Sequence, residues 1–396
     1  MKVARKRIFD VVDRVNDLPG GYGESTFDFL NRVAGAYWEF PRNLLQSWAD
    51  QLDDKEYADV VGRIQVGNDY QFNSAFLELY LHEVLRRAGA TVIAHPDLAN
   101  QPRHPDFLVH LNERALYVEA IAPEPSKSEQ SAANRLHTLY DTINRISTPR
   151  HVLMITNLKE GKVPPSGRRL GRELVRWLAD LDASVPTQID WADLPSYSWA
   201  HDGWEVELAA VPTKAPSDGE AKRRRAIGVL AHQGARMVND APTILRALAS
   251  KQGAYGNLAK PFVIAIGLYI HDEDRWHALN AFYGHERIFV RDDGTAVPIR
   301  RLDGYFGGPS NWKNRNVSGV LIVNQLNPYD PARAEVTFWP HPNPAHELGV
   351  DLGFIAETYR FNDYQVGRVS PWGDVRDLLQ LPSPWPPGTP WPGTSG

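Results

Sequence analysis

The chain has 396 residues, 42% of them hydrophobic and 23% charged, with a formal net charge of −5 at pH 7. That is a folding composition, long enough for one large core or two smaller ones. Cysteine is absent, which excludes disulfides, thiolate zinc sites and cysteine nucleophiles and fits a cytoplasmic protein. The opening MKVARKRIFDVVDRVNDL is basic but lacks the apolar run of a signal peptide. No apolar stretch suffices to cross a bilayer, so no membrane association is expected. Gly20-Gly21-Tyr22-Gly23 follows no strand and predicts a turn rather than a dinucleotide fingerprint. Residues 1–65 are expected to form an N-terminal helical segment packed on the core.

The most informative stretch follows. Residues 74–88 carry Leu77, Leu81, Val84, Leu85 and Ala88 at the spacing of a buried helical stripe. Glu78 lies inside that stripe, whereas Glu83, Arg86 and Arg87 lie off it. A carboxylate facing a core needs a cation, hydrogen bonds or a metal, so Glu78 either meets an arginine at the stripe's edge or is a ligand. Gly89 ends the helix. TVIAHP (91–96), DFLVHL (106–111) and ALYVEAI (115–121) then read as strands, with Asn112-Glu113-Arg114 turning the second into the third. Strand alternation points Glu119 with Tyr117 and Ile121, opposite Val118 and Ala120. Asp106 opens one strand of this hairpin and Glu119 closes the other. Strands about 5 Å apart can bring the two carboxylates to one cation. Three hard oxygen donors, Glu78, Asp106 and Glu119, suit Mg²⁺ or Mn²⁺.

These motifs resemble the PD-(D/E)XK, or restriction-endonuclease-like, nuclease superfamily. Glu78 matches its helix acid, Pro105-Asp106 its second motif and Glu119 its third. A wider likeness to bacterial proteins of that type covers Glu78–Leu81, Pro105–Phe107, Val118–Ala120, Lys251–Gly256 and Pro261–Ile266, about two thirds of the chain. The resemblance implies an α-β-β-β-α-β core, a divalent metal held by Glu78, Asp106 and Glu119, and hydrolysis of DNA phosphodiesters. The chain departs from the pattern at Ile121, where the family has the lysine that orients the attacking water. Lys127, at the start of the next helix, is the expected substitute, ahead of Arg135 and Lys159. The alternative implied by Ile121 is a catalytically inactive nuclease-fold module that binds nucleic acid or a protein partner.

Downstream, helices are expected over 127–147, 167–182, 237–252 and 272–284. Strands are expected over 151–158, 204–212, 261–270, 317–324 and 333–340. HVLMITNL (151–158) is continuously apolar, as in a central strand covered on both faces. The alternation predicts one α/β domain, a mixed central sheet flanked by helices, over 66–345. A C-terminal extension over 346–396 ends in LPSPWPPGTPWPGTSG, expected to be extended and mostly disordered. Lys222-Arg223-Arg224-Arg225 and Arg168, Arg169 and Arg172 are candidate phosphate contacts. The helical zinc motif fails, because Arg86 stands where its second histidine is required after His82-Glu83. GxSxG is absent, and the Gly161–Gly167 spacing lacks the Lys-Ser or Lys-Thr of a phosphate loop. His341 and His346, two imidazoles in a Pro-rich loop, read as surface residues.

Overall fold

A computed structural model describes residues 5–98, 102–148, 150–181, 193–213, 224–230, 240–362 and 365–391. The described helices are α1 (Thr26–Arg32), α2 (Ala36–Ala49), α3 (Asp54–Gln65), α4 (Asp69–Arg87), α5 (Lys127–Asn144), α6 (Gly167–Asp180), α7 (Ala241–Lys251), α8 (Trp276–Tyr283) and α9 (Val375–Leu379). The first eight described strands are β1 (Thr91–Ala94), β2 (Phe107–Leu111), β3 (Arg114–Ile121), β4 (His151–Lys159), β5 (Ser196–His201), β6 (Trp204–Pro212), β7 (Ile227–Leu230) and β8 (Phe262–Leu268). They are followed by β9 (Glu286–Val290), β10 (Ala296–Arg300), β11 (Gly307–Gly308), β12 (Asn311–Trp312), β13 (Gly319–Asn324), β14 (Glu335–Pro340), β15 (Glu357–Asn362) and β16 (Gln365–Val369). Among the described residues no helix is long and apolar enough to cross a membrane.

The described residues form two compact units. One gathers those of 1–11, 36–124 and 239–389, the other those of 12–35, 125–238 and 390–396. The first unit holds a mixed eight-stranded sheet in the order β1-β2-β3-β8-β13-β14-β15-β16. β2 runs antiparallel to both of its neighbours, β1 and β3, and β3, β8 and β13 are mutually parallel. β8 reads Phe-Val-Ile-Ala-Ile-Gly-Leu and is buried along its whole length, as a central parallel strand with both faces covered requires. Its even-numbered residues Phe262, Ile264, Ile266 and Leu268 pack with Ile244 and Leu248 of α7 and Phe282 of α8. On the opposite face Gly267 leaves room for Leu77 of α4, whose Cδ2 lies 3.1 Å from where a Cβ would stand.

α4 begins at Asn68, whose side chain accepts from the amides of Tyr70 and Gln71. It ends at Gly89, in the left-handed region at φ +87°. It is buried nearly all round, because α2 and α3 cover the side away from the sheet. That corrects the one-sided stripe expected from sequence. Glu83, expected off the stripe, is 1% exposed and is paired with Arg86 at 3.0 Å and Arg87 at 2.5 Å.

The order α4-β1-β2-β3 is the expected first half of an α-β-β-β-α-β core, and α7-β8 completes it. The segment between them does not extend the large sheet. β4, expected as a central strand, lies instead in a four-stranded sheet of order β5-β6-β4-β7 in the second unit. There Leu153 and Ile155 of β4 pack with Leu139 and Ile143 of α5, Leu170 and Leu174 of α6, and Trp199, Trp204 and Leu208. The compact units therefore cut across the 1–65 and 66–345 segments drawn from sequence. The 346–396 extension also contributes to the first unit. β15 and β16 complete the large sheet, and Arg87 of α4 donates to the Leu378 carbonyl of α9 at 3.3 Å. In the tail Leu381 is buried and the Trp385 ring packs 5.8 Å from that of Phe40. Residues 392–396 of the tail lie outside the described residues, as do Lys222 and Arg223.

Candidate active site

Glu78, Asp106, Glu119, Arg63, Lys251 and Tyr255 all belong to the first unit. The register Phe107↔Val118 sets Asp106, one residue before β2, opposite Glu119 of β3. The pair is tied through the backbone: the Asp106 amide donates to Glu119 Oε2 at 3.3 Å, and the Ala120 amide donates to Asp106 Oδ2 at 2.7 Å. Glu119 is 1% exposed. A carboxylate at that depth needs partners, and it has two from α7 and the loop after it. Lys251, the last residue of α7, donates its Nζ to Oε1, and the Tyr255 hydroxyl donates to Oε2 at 2.6 Å. Tyr255 is held edge-on against Phe262 of β8, with centroids 5.7 Å apart.

Glu78 approaches from the opposite face of the sheet, on α4. Arg63 of α3 grips it with both terminal nitrogens, Nη1 to Oε1 at 2.7 Å and Nη2 to Oε2 at 2.5 Å. The same guanidinium reaches Asp59 through Nε at 2.8 Å. Of the two sequence readings for Glu78, the structure displays the arginine partner.

The three acids nevertheless feel one another. Burial, then the charges of Glu119 and Glu78, push the Asp106 carboxyl well above the usual carboxylate range, against the opposing pull of the Ala120 amide and Lys251. Burial acts to lower the Lys251 ammonium, but Glu119, Asp106 and Glu78 together raise it. Burial and the acceptor Glu119 likewise raise the Tyr255 hydroxyl, so it stays a donor.

By its chemistry such a set suits a hard cation: Asp106 and Glu119 are adjacent, Glu78 is near enough to act on Asp106, and burial together with the two neighbouring charges disfavours Asp106 as an anion. Preassembled ligand geometry is another matter. Among the described residues no group of three or more His, Asp or Glu side chains stands ready to hold a metal ion. Both Glu78 oxygens are on Arg63, and both Glu119 oxygens are on Lys251 and Tyr255.

Lys127, the expected lysine, opens α5 in the second unit and is exposed. The cation on Glu119 is Lys251 instead. Arg135 pairs with Glu160, and Lys159 with Glu205. Ile121 packs partly buried against the cluster that holds Ile264 and Ile266. Sequence reasoning missed the roles of Lys251, Tyr255 and Arg63. The only signal for the first two was the Lys251–Gly256 segment, noted as a likeness and not as chemistry. His341, expected at the surface, is 3% exposed, with its Nε2 2.6 Å from the Lys313 carbonyl oxygen. Arg168, Arg169 and Arg172 are exposed on α6, and Arg169 pairs with Glu173 at 2.9 Å.

Comparison of the chain with family models, curated proteins and solved structures found no match.

Proposed function

We propose that this chain is a metal-dependent nuclease of the PD-(D/E)XK type that hydrolyses DNA phosphodiester bonds in the cytoplasm. The observation that carries the reading is Lys251: a lysine meets the motif glutamate although the motif position itself is Ile121. The α-β-β-β-α-β order and the adjacent Asp106 and Glu119 support it. Asp106 and Glu119 would hold Mg²⁺ or Mn²⁺, and Glu78 would join them on leaving Arg63. The cation supplies Lewis acidity and a more acidic water. Lys251 supplies a positive charge beside the reacting phosphate, where it orients the nucleophile and steadies developing negative charge. Tyr255 fixes the Glu119 carboxylate, and the Ala120 amide fixes Asp106.

The alternative reading is an inactive nuclease-fold module that binds nucleic acid or a protein partner. The grip of Arg63 on Glu78 favours it, because that carboxylate is not free to ligate. Cleavage assays on plasmid, single-stranded DNA and RNA with Mg²⁺ or Mn²⁺ separate the two. The nuclease reading expects DNA cleavage that Asp106→Asn abolishes and Lys251→Met cuts by roughly a hundredfold to a thousandfold. No cleavage of any substrate by the unaltered chain overturns it and leaves the binding module.

A further inference from the structure

We infer that Arg63 is an internal counter-ion, holding Glu78 in reserve until a divalent cation takes the carboxylate from it. The inference rests on the metal-site reading above and adds the event that completes the site. Three geometric observations support it. First, the Arg63 fork covers both Glu78 oxygens, so Glu78 cannot turn to Asp106 and Glu119 without breaking this pair. Second, Arg63 has another anchor. Asp59, one turn earlier on α3 and half-exposed, accepts from Nε at 2.8 Å. Loss of Glu78 would therefore leave the guanidinium paired rather than stranded in a partly buried place. Third, the charge is unbalanced. Among the described residues the ion pairs of Glu78, Asp59 and Glu119 run to Arg63 and Lys251 alone, and Asp106 beside Glu119 is in none of them. A divalent cation that recruits Glu78 to the hairpin restores balance there, while Arg63 falls back on Asp59.

Two opposite effects of removing Arg63 follow. Without metal, Glu78 loses its partner beside two other acids, and the fold is less stable. With metal, no guanidinium competes for Glu78, and the cation binds more tightly. A purely structural ion pair gives the first effect and not the second.

The test uses the full chain and MnCl₂, with thermal unfolding in chelator and at rising Mn²⁺, and calorimetric titration for affinity. Arg63→Gln is expected to melt below the unaltered protein in chelator, with the gap closing as Mn²⁺ is added. Its Mn²⁺ affinity is expected to rise about tenfold, the scale of one half-buried ion pair. Arg63→Gln in a Glu78→Gln background is expected to gain nothing. Arg63→Lys, which keeps the charge but loses the fork, should lie between and serves if Arg63→Gln does not fold. Asp106→Asn separates the two levels of inference. If it leaves Mn²⁺ binding unchanged, the metal site is wrong and this inference falls with it. If it abolishes binding while Arg63→Gln binds no tighter than the unaltered chain, only the counter-ion role is overturned.

Discussion

A buried acid is informative only with its neighbours. Asp106 stands beside Glu119 and Glu78, and its carboxyl is raised by burial and by their charge. A group whose native pKa exceeds its unfolded value binds more protons in the native state, so stability falls as pH rises through the interval between the two values. For metal-free protein in chelator, stability should fall as pH rises above the ordinary carboxyl value of 3.8 toward the raised native one. Asp106→Asn should flatten that fall, as denaturant titrations across pH would register. A second prediction concerns the missing motif lysine. With Lys251 already on Glu119, Ile121→Lys should add little or no activity, and it should lower the melting temperature because Ile121 packs against an apolar cluster. A gain in cleavage without loss of stability would mean that Lys251 does not serve. The acids were legible in the sequence because each interrupts an apolar pattern or opens a strand. Lys251 was not, because it lies 132 residues from Glu119 and meets it only through the packing of α7 on β8. Arg63 was hidden for the same reason: pairing across helices leaves no period in the chain.

At the scale of elements, the hairpin β2–β3 and the helix α4 were readable from periodicity and from the stop at Gly89. Sheet membership was not. β4 and β8 are both continuous apolar runs, and periodicity reports burial without saying which neighbour a strand will find. β15 and β16 were missed because they are short and follow a Pro-rich stretch. α4 packs on β1, β3 and β8, and its contact with β8 depends on a residue without a side chain. Gly267→Val would put a branched side chain against Leu77. The expected cost is about 1–3 kcal/mol, the usual scale for overpacking. Because it shifts α4, it should also weaken Mn²⁺ binding, whereas an equally destabilising change in the second unit should not. Chemical denaturation and calorimetric titration of the same variants measure the two effects.

For the molecule as a whole, the core elements α4-β1-β2-β3 and α7-β8 are separated in sequence by a segment that folds around its own sheet and core. One continuous α/β domain was the natural expectation, since alternating helices and strands look alike whether they extend a sheet or start another. Trp204, fully buried in the second core, offers a way to probe the separation. Trp204→Ala should cost about 3–5 kcal/mol and leave the Mn²⁺ affinity of the first unit in place. The exposed arginines of α6 offer a test of the proposed DNA binding. If Arg168 and Arg172 each neutralise a phosphate, replacing both with glutamine should weaken DNA binding and reduce the salt slope by about 2. An unchanged slope would remove α6 from the interface.

In the proposed site Glu78, Asp106 and Glu119 would serve one divalent cation. A crystal structure of the full chain grown with Mn²⁺ and read by anomalous scattering addresses it directly. A single strong peak is expected about 2.0–2.6 Å from Asp106 and Glu119 oxygens, with Glu78 turned from Arg63 toward it and Lys251 beside it. Saturating Mn²⁺ with no peak between those carboxylates, and Glu78 still gripped by Arg63, would contradict it.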